Sequence, residues 1–423
     1  MADVPLHRVA AAAPHPAPRH PALRRALARS RRDDARQRVE AAAAPRRRSR
    51  VVIAPAAVLV TGGTGFVGAA VIRRLLDGGR GVVALARSRP GLPARERVAL
   101  AVGVAPDHPR LDVVEADLAD PAPLAPADRA RLLRAVETAI HCAGDTTFHP
   151  AAMDVFRAGH VDGPRALLRA LAGGRLARWA HVSTAFVCGR RTGRVREDEG
   201  DVGQDFHNAY ERVKLEAETA VRRQAGDLGI DVRVVRPAIV VGAAPATSGG
   251  RPSALFLDFV RALAALARRA RGGRLPLRVV GAPAAPFNIV PVDHVAAAAV
   301  ALAEAPAASG GTFHVVTAEP PPQRAVLDLL AARLGVDGLR VVDRAGAGEP
   351  SPLEARVARM LAAYAEYLEQ DVRFDDSRAR AVLEACGVPA SRLDAAVVGR
   401  LVELALDGGA RAGGGRSVAC RAS

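Results

Sequence analysis

A short apolar run, Ala57-Val-Leu-Val60, feeds directly into Thr61-Gly-Gly-Thr-Gly-Phe-Val-Gly68, and a helical pattern opens at Gly68. Strand, glycine loop and helix in that order constrain the fold more than any other feature of the chain. Gly62 permits a tight turn, Gly65 lets backbone approach a pyrophosphate, and Gly68 lets the helix pack against the strand. The free N–H groups and partial positive charge of a helix N-terminus complete a phosphate cradle. Such spacing alone is a weak signal; the strand before it and the helix after it give it weight. Gly62, Thr64, Gly65, Phe66, Val67 and Gly68 are the residues expected to hold a dinucleotide here.

The pattern that begins at this loop repeats. Strands are predicted at 57–60, 82–86, 111–115, 138–142, 177–182 and 231–235, with helices at 68–76, 95–102, 126–136, 161–171 and 210–225 between them. Alternation of this kind means a parallel sheet covered on both faces, a doubly wound Rossmann-type α/β fold. After Gly242 the pattern loosens into a Gly/Pro/Ser-rich loop at 243–252, then a helix at 254–271 and strands at 277–280 and 312–316. Residues 324–335 and 353–406 read as mostly helical. The expected organisation is a nucleotide-binding part at 51–245, a smaller mixed substrate-binding part at 246–340 with 287–316 returning to the sheet, and a helical C-terminal region at 341–423.

Composition narrows the function. The net charge is +16, but residues 1–50 hold 13 arginines against four acids, so more than half of the excess sits there. That segment is scattered with prolines and reads as a disordered extension. The rest has no zinc-finger spacing and no basic-aromatic interleaving, so a nucleic-acid partner is not expected. The cysteines Cys142, Cys188, Cys386 and Cys420 form no C-x-x-C pair, which suits a reducing cytosol better than a disulfide framework or a zinc site, and no metal is expected. No apolar run is long enough to span a membrane.

The chain has 59 arginines and one lysine, Lys214, four residues after Tyr210. This spacing puts phenol and ammonium on one helix face. A cation there favours the phenolate and is expected to lower the tyrosine pKa toward working pH, which makes the pair a proton-handling centre. Arg87, just past the second strand, can pair with a ribose 2′-phosphate, which points to NADP(H), with NAD as the alternative. The same residue also reads as a solvated arginine in an arginine-rich chain. Asp117 and Leu118 follow the third strand, where a carboxylate can take an adenine amino group. Ala143 follows the fourth, beside the expected nicotinamide ribose.

These motifs, with Ser183-Thr184 after the fifth strand and Arg236-Pro237 after the sixth, resemble the extended short-chain dehydrogenase/reductase superfamily over about residues 51–320. Within it, four stretches resemble the fatty acyl-CoA reductases and thioester-reductase domains: Ala86-Arg87 with the Arg95-Glu-Arg-Val98 helix, His181 to Gly189, Phe287 to His294, and Phe374-Asp-Asp-Ser377. The resemblance implies that Thr184 and Tyr210 bond the substrate carbonyl, with Ser183 as second choice. It also implies that Tyr210 gives the proton, that Lys214 holds the nicotinamide ribose, and that Pro237 lies near the cofactor. His160 stands where the superfamily commonly has Asn; it either takes over that part in the proton relay or simply packs in its helix.

The expected activity is NADPH-dependent reduction of an acyl thioester, on CoA or an acyl carrier protein, to aldehyde or alcohol, in the cytoplasm. A sugar-nucleotide epimerase or dehydratase and a hydroxysteroid-type dehydrogenase share the same skeleton, and a non-catalytic NADP-binding sensor is the alternative outside the enzymes. Leu255, Phe256, Phe259, Leu263 and Leu266 form either an acyl slot or the core stripe of their helix, and Arg268, Arg269 and Arg271 either meet a CoA phosphate or form a solvated face.

Overall fold

Seven parallel strands form the central sheet, and the order of the strands decides where a site can form. The structure is a computed structural model that describes residues 57–242 and 254–413. In chain order the first half comprises β1 (Ala57–Thr61), α1 (Phe66–Asp77), β2 (Val82–Ala86), α2 (Ala94–Val102), β3 (Leu111–Glu115), α3 (Pro126–Ala135), β4 (Val136–His141), α4 (Met153–Arg157), α5 (Gly163–Leu171) and β5 (Arg178–Val182). The second half comprises β6 (Gly193–Val195), α6 (Ala209–Asp227), β7 (Asp231–Pro237), β8 (Ile239–Val241), α7 (Ala254–Ala267), β9 (Arg274–Val280), β10 (Ile289–Pro291), α8 (Val292–Glu304), β11 (Thr312–Val315), α9 (Gln323–Leu334), β12 (Asp337–Val342), α10 (Pro352–Leu361), α11 (Ala365–Glu369), β13 (Val372–Phe374), α12 (Ser377–Ala385) and α13 (Ala395–Gly413).

The sheet order is β11-β7-β5-β4-β1-β2-β3, all parallel. The direction of winding reverses between β1 and β4. In an open α/β sheet such a switch point leaves a crevice at the carboxyl ends of the strands, where ligands bind. The strands are nearly continuous apolar runs because helices cover both faces: Val58, Val60, Ala84 and Ile140 pack toward α1, while Leu59, Val83, Ala139 and Trp179 pack on the opposite side with α5. A second apolar core joins α7, β9, α9, β12, α10 and α13.

Several expectations are corrected. Residues 287–294 do not return to the main sheet: Ile289–Pro291 pairs with β8 in a separate two-stranded ladder, and α8 and β11 are the parts that rejoin the large sheet. The C-terminal region is less purely helical than periodicity implies, because β12 pairs with β9 and β13 with β6. Both are short strands whose partners lie far away in sequence, so local pattern carries no trace of them. The extension at 1–50 and the loop at 243–252 lie outside the described residues. No helix among the described residues is long and apolar enough to cross a membrane.

Candidate active site

Gly62 sits at the switch point with φ +69°, and a Cβ there would lie 2.7 Å from the Ala143 amide nitrogen at the end of β4. Only glycine therefore allows the β1 loop to approach β4 so closely. Gly68 serves the other side: a Cβ on it would collide with the Gly62 carbonyl, so its absence lets α1 seat on the loop. Gly65 precedes α1 and no side chain caps that helix, so first-turn N–H groups remain free for an anion.

The loop opens into a cleft of about 680 Å³. Of the residues predicted to bind a dinucleotide, Gly62, Thr64, Gly65, Arg87, Asp117, Leu118 and Ala143 line it. Phe66, Val67 and Gly68 lie behind this wall in α1, where Val67 packs against the core. A glycine cradle, an uncapped helix end and a cationic rim fit a nicotinamide dinucleotide.

At the end of the cleft near β2 and β3, the Arg87 guanidinium lies 3.4 Å from the Asp117 carboxylate, and both side chains are exposed. Asp117 Oδ1 accepts from the Ala119 amide. Sequence reasoning missed Arg97, which lines the same cleft from α2 and donates to the Arg87 carbonyl. Burial, together with Arg89 and Arg87, pulls its pKa down, as expected where three guanidiniums crowd with too little negative charge between them. A doubly charged phosphate would relieve that crowding.

Beyond the His160 end of the cleft lies α6, whose Tyr210 and Lys214 do not line the cleft itself. Asn208 caps the helix by accepting from the Glu211 amide at 3.1 Å, which fixes Tyr210 in the first turn. One turn later Lys214 is buried, and its Nζ donates to the Val182 carbonyl at the end of β5 at 2.7 Å. Burial draws the lysine pKa down to about 8, and Glu218 and Cys142 oppose that shift. The sequence reading of Tyr210 needs correction. Burial, Tyr364 and Glu211 raise its pKa, so the phenol is held neutral and not sharpened toward phenolate. Lys214 and Tyr210 share the inner side of α6: the phenol ring lies 6.0 Å from the ring of His160, a cleft-lining residue.

Thr184 and Ser183 differ from expectation in how they are engaged. Thr184 Oγ1 accepts from the Phe186 amide at 3.2 Å and makes a long contact of 3.5 Å to the Pro237 carbonyl. Ser183 Oγ is buried without a protein partner. Pro237 thus meets Thr184 through its carbonyl and does not line the cleft.

His160 lies in a π-type turn at Ala158–Asp162, just before Pro164 at the start of α5. Pro164 has no N–H to return to the preceding turn, and the helix widens there. His160 Nε2 lies 2.8 Å from the Asp145 carbonyl and 3.1 Å from the Asp145 amide nitrogen, and a Cβ on Gly144 would strike its ring. Burial first, then Lys214, holds its pKa at about 4, so it is a neutral prop beneath the Gly144–Asp145 loop.

A second, apolar cavity of about 90 Å³ is lined by Phe186, Phe256, Phe259, Phe287, Leu330 and Tyr364 among others. Of the proposed acyl-slot residues Phe256 and Phe259 line it, Leu263 is core, Leu266 packs on that core, and the side chain of Leu255 lies outside the described residues. Arg268 and Arg269 are exposed, and the side chain of Arg271 lies outside the described residues. Tyr364 and Tyr367, which also line the cavity, were missed by sequence reasoning. The available signal was scarcity: the chain has only three tyrosines, and the third is Tyr210.

The sequence model of the family described as "Male sterility protein" matches residues 60–299. The chain is 28% identical over 299 residues to 2-alkyl-3-oxoalkanoate reductase of Stenotrophomonas maltophilia, covering 66% of this chain and 76% of that protein. It is 30% identical over 200 residues to a Mycobacterium tuberculosis 3 beta-hydroxysteroid dehydrogenase/Delta 5-->4-isomerase, covering 44% of this chain and 47% of that one. Among solved structures, the terminal R domain of the myxalamid PKS-NRPS pathway superposes with TM-score 0.63 at 22% identity, over 86% of this chain and 95% of that one. The UDP-glucuronic acid 4-epimerase of Bacillus cereus in complex with NAD superposes with TM-score 0.60 at 16% identity, over 83% and 98%.

Proposed function

The chain belongs to the Male sterility protein family, within the extended short-chain dehydrogenase/reductases, and is an NAD(P)-dependent oxidoreductase; on that premise we propose that it reduces the carbonyl of a long-chain acyl thioester with NADPH. The observation that carries this reading is the character of the second cavity. Its lining is aliphatic and aromatic, and its two amide side chains are already engaged. Asn288 Nδ2 donates to the Val372 carbonyl and Gln323 Nε2 to the Leu368 carbonyl. A sugar nucleotide needs many convergent polar groups there; an alkyl chain needs none.

The residues divide the work. Gly62, Gly65 and the N-terminus of α1 would receive the pyrophosphate, and Arg87 and Arg97 the 2′-phosphate. Lys214 keeps one proton on Val182 and has others for a ribose hydroxyl. A nicotinamide cofactor held there would supply hydride to the carbonyl carbon. Thr184 donates to the carbonyl oxygen, its long contact to Pro237 being readily exchanged. Tyr210, held neutral by burial, gives its proton to the oxyanion as it forms. A thioester so reduced becomes a hemithioacetal, which collapses to aldehyde and free thiol.

The test mixes purified protein and NADPH with a long-chain acyl-CoA, a 2-alkyl-3-oxoacyl thioester, a UDP-sugar or a steroid. NADPH loss matched by release of free CoA thiol is expected with the first. NADPH loss without thiol release, confined to the 3-oxo substrate, would make the protein a ketone reductase and overturn the thioester reading.

A further inference from the structure

We infer that Phe148 is a specificity-determining gate between the hydride-transfer site and the apolar cavity, selecting substrates by the length of their chain. This rests on the proposed reading of that cavity as the acyl site. The loop after β4, from Cys142 to Ala152, forms no helix or strand and walls the cofactor cleft through Ala143, Asp145, Thr147 and Pro150. Its Thr146, Thr147 and His149 are exposed, yet Phe148 between them is turned inward and half-buried. Its ring centroid lies 6.2 Å from Tyr210, 5.2 Å from Tyr364 and 5.7 Å from Tyr367. Tyr210 belongs to the reaction site, whereas Tyr364 and Tyr367 line the apolar cavity. Phe148 lines neither cavity itself, but its ring packs between Tyr210 and the two tyrosines of the apolar cavity, so all three tyrosines of the chain meet around it.

Of the three tyrosines around Phe148, Tyr367 is anchored by a hydrogen bond. Tyr367 OH accepts from Asn208 Nδ2 at 2.7 Å, and its ring stands edge-on to Phe186 at 4.8 Å, so α11 is pinned to the start of α6. Upstream, the Asp145 carboxylate accepts from the Thr147 amide at 2.9 Å and from its hydroxyl at 2.6 Å, which closes a turn just before Phe148. Phe148 meets the three tyrosines through tilted ring contacts, which are individually weak. A short acyl group ends before this ring. A long one continues into the cavity only when the ring has swung away.

The test compares Phe148→Ala and Phe148→Trp with the parent protein, using kcat/KM for hexadecanoyl-CoA relative to butanoyl-CoA. The ratio is expected to rise about tenfold in F148A and to fall in F148W. A ratio that stays within about twofold in both variants overturns the gate. A second readout needs no turnover: the stopped-flow association rate of a fluorescent long-chain fatty acid, expected to rise about tenfold in F148A. Unchanged association rates in a variant with an unaltered melting profile also overturn the proposal. If the rate responds but no thioester is ever reduced, the gate stands and the thioester activity falls.

Discussion

Lys214 shows most clearly what one residue contributes. A buried ammonium whose pKa is drawn down to about 8 is protonated at neutral pH and loses its proton as pH rises through about 8. Activity that depends on the ammonium should therefore decline above that pH, and a pH profile of kcat/KM checks it. Lys214→Ala should cost at least about a thousandfold in kcat/KM, because Val182 and the cofactor ribose lose the same donor together; near-parental turnover would remove the residue from the mechanism. At the opposite end of the cleft, Arg87→Asp and Arg97→Ala should each weaken NADPH by about ten- to a hundredfold while sparing NADH, since charged hydrogen bonds are worth about 1.5–3 kcal/mol. Equal losses for both cofactors, measured by titration, would show that neither arginine reads the 2′-phosphate.

At the scale of elements, α6 is held to the sheet by a buried ion pair as well as by apolar packing. Glu218, one turn beyond Lys214, takes three bonds from Arg236 of β7, the shortest at 2.7 Å, and both side chains are almost fully buried. Arg236 Nη1 also donates to the Glu199 carbonyl. Glu218→Gln leaves a buried guanidinium without its counter-charge, and a loss of about 3–5 kcal/mol is expected in chemical denaturation. The β1–α1 junction is more sharply constrained. Gly62→Ala forces a side chain into the left-handed region and against the end of β4, and should abolish dinucleotide binding while a larger part of the fold survives. Calorimetric titration with the cofactor would show it. That junction was legible from the sequence because every residue it needs lies within a dozen positions. The short ladders β6/β13 and β9/β12 were not, because their pairing partners are separated by long stretches of chain.

For the whole molecule, acid stability depends on buried histidines. Burial holds His141 at about 3, His160 and His314 at about 4, and His181 well below 6.5. Above the ordinary value of 6.5 the folded and unfolded chains both carry them neutral. Below it the unfolded chain takes up protons that the folded one refuses, so stability falls as pH falls. Glu197 works in the opposite sense. Burial raises its carboxyl to about 7 although three backbone N–H groups, on His314, Arg378 and Ala379, donate to it. Its contribution is present below 4.5 and fades as pH rises toward 7. Four histidines outweigh one carboxyl, so the unfolding midpoint should drop between pH 7 and 5, and more steeply in Glu197→Gln. A flat midpoint in the parent protein would show that these rings are protonated in the folded state.

The amino-acid sequence by itself determined the alternation of strand and helix, the glycine cradle and the one-turn spacing of Tyr210 and Lys214. Each is written in residues near one another along the chain, where helix and strand periodicity and turn chemistry act. Tertiary structure alone decided that burial holds Tyr210 neutral, that Arg97 joins Arg87, and that Phe148, Tyr364 and Tyr367 converge beside Tyr210. Burial, charge crowding and the meeting of distant aromatic rings exist only once the sheet has brought the carboxyl ends of its strands together and the C-terminal segment has folded back over them.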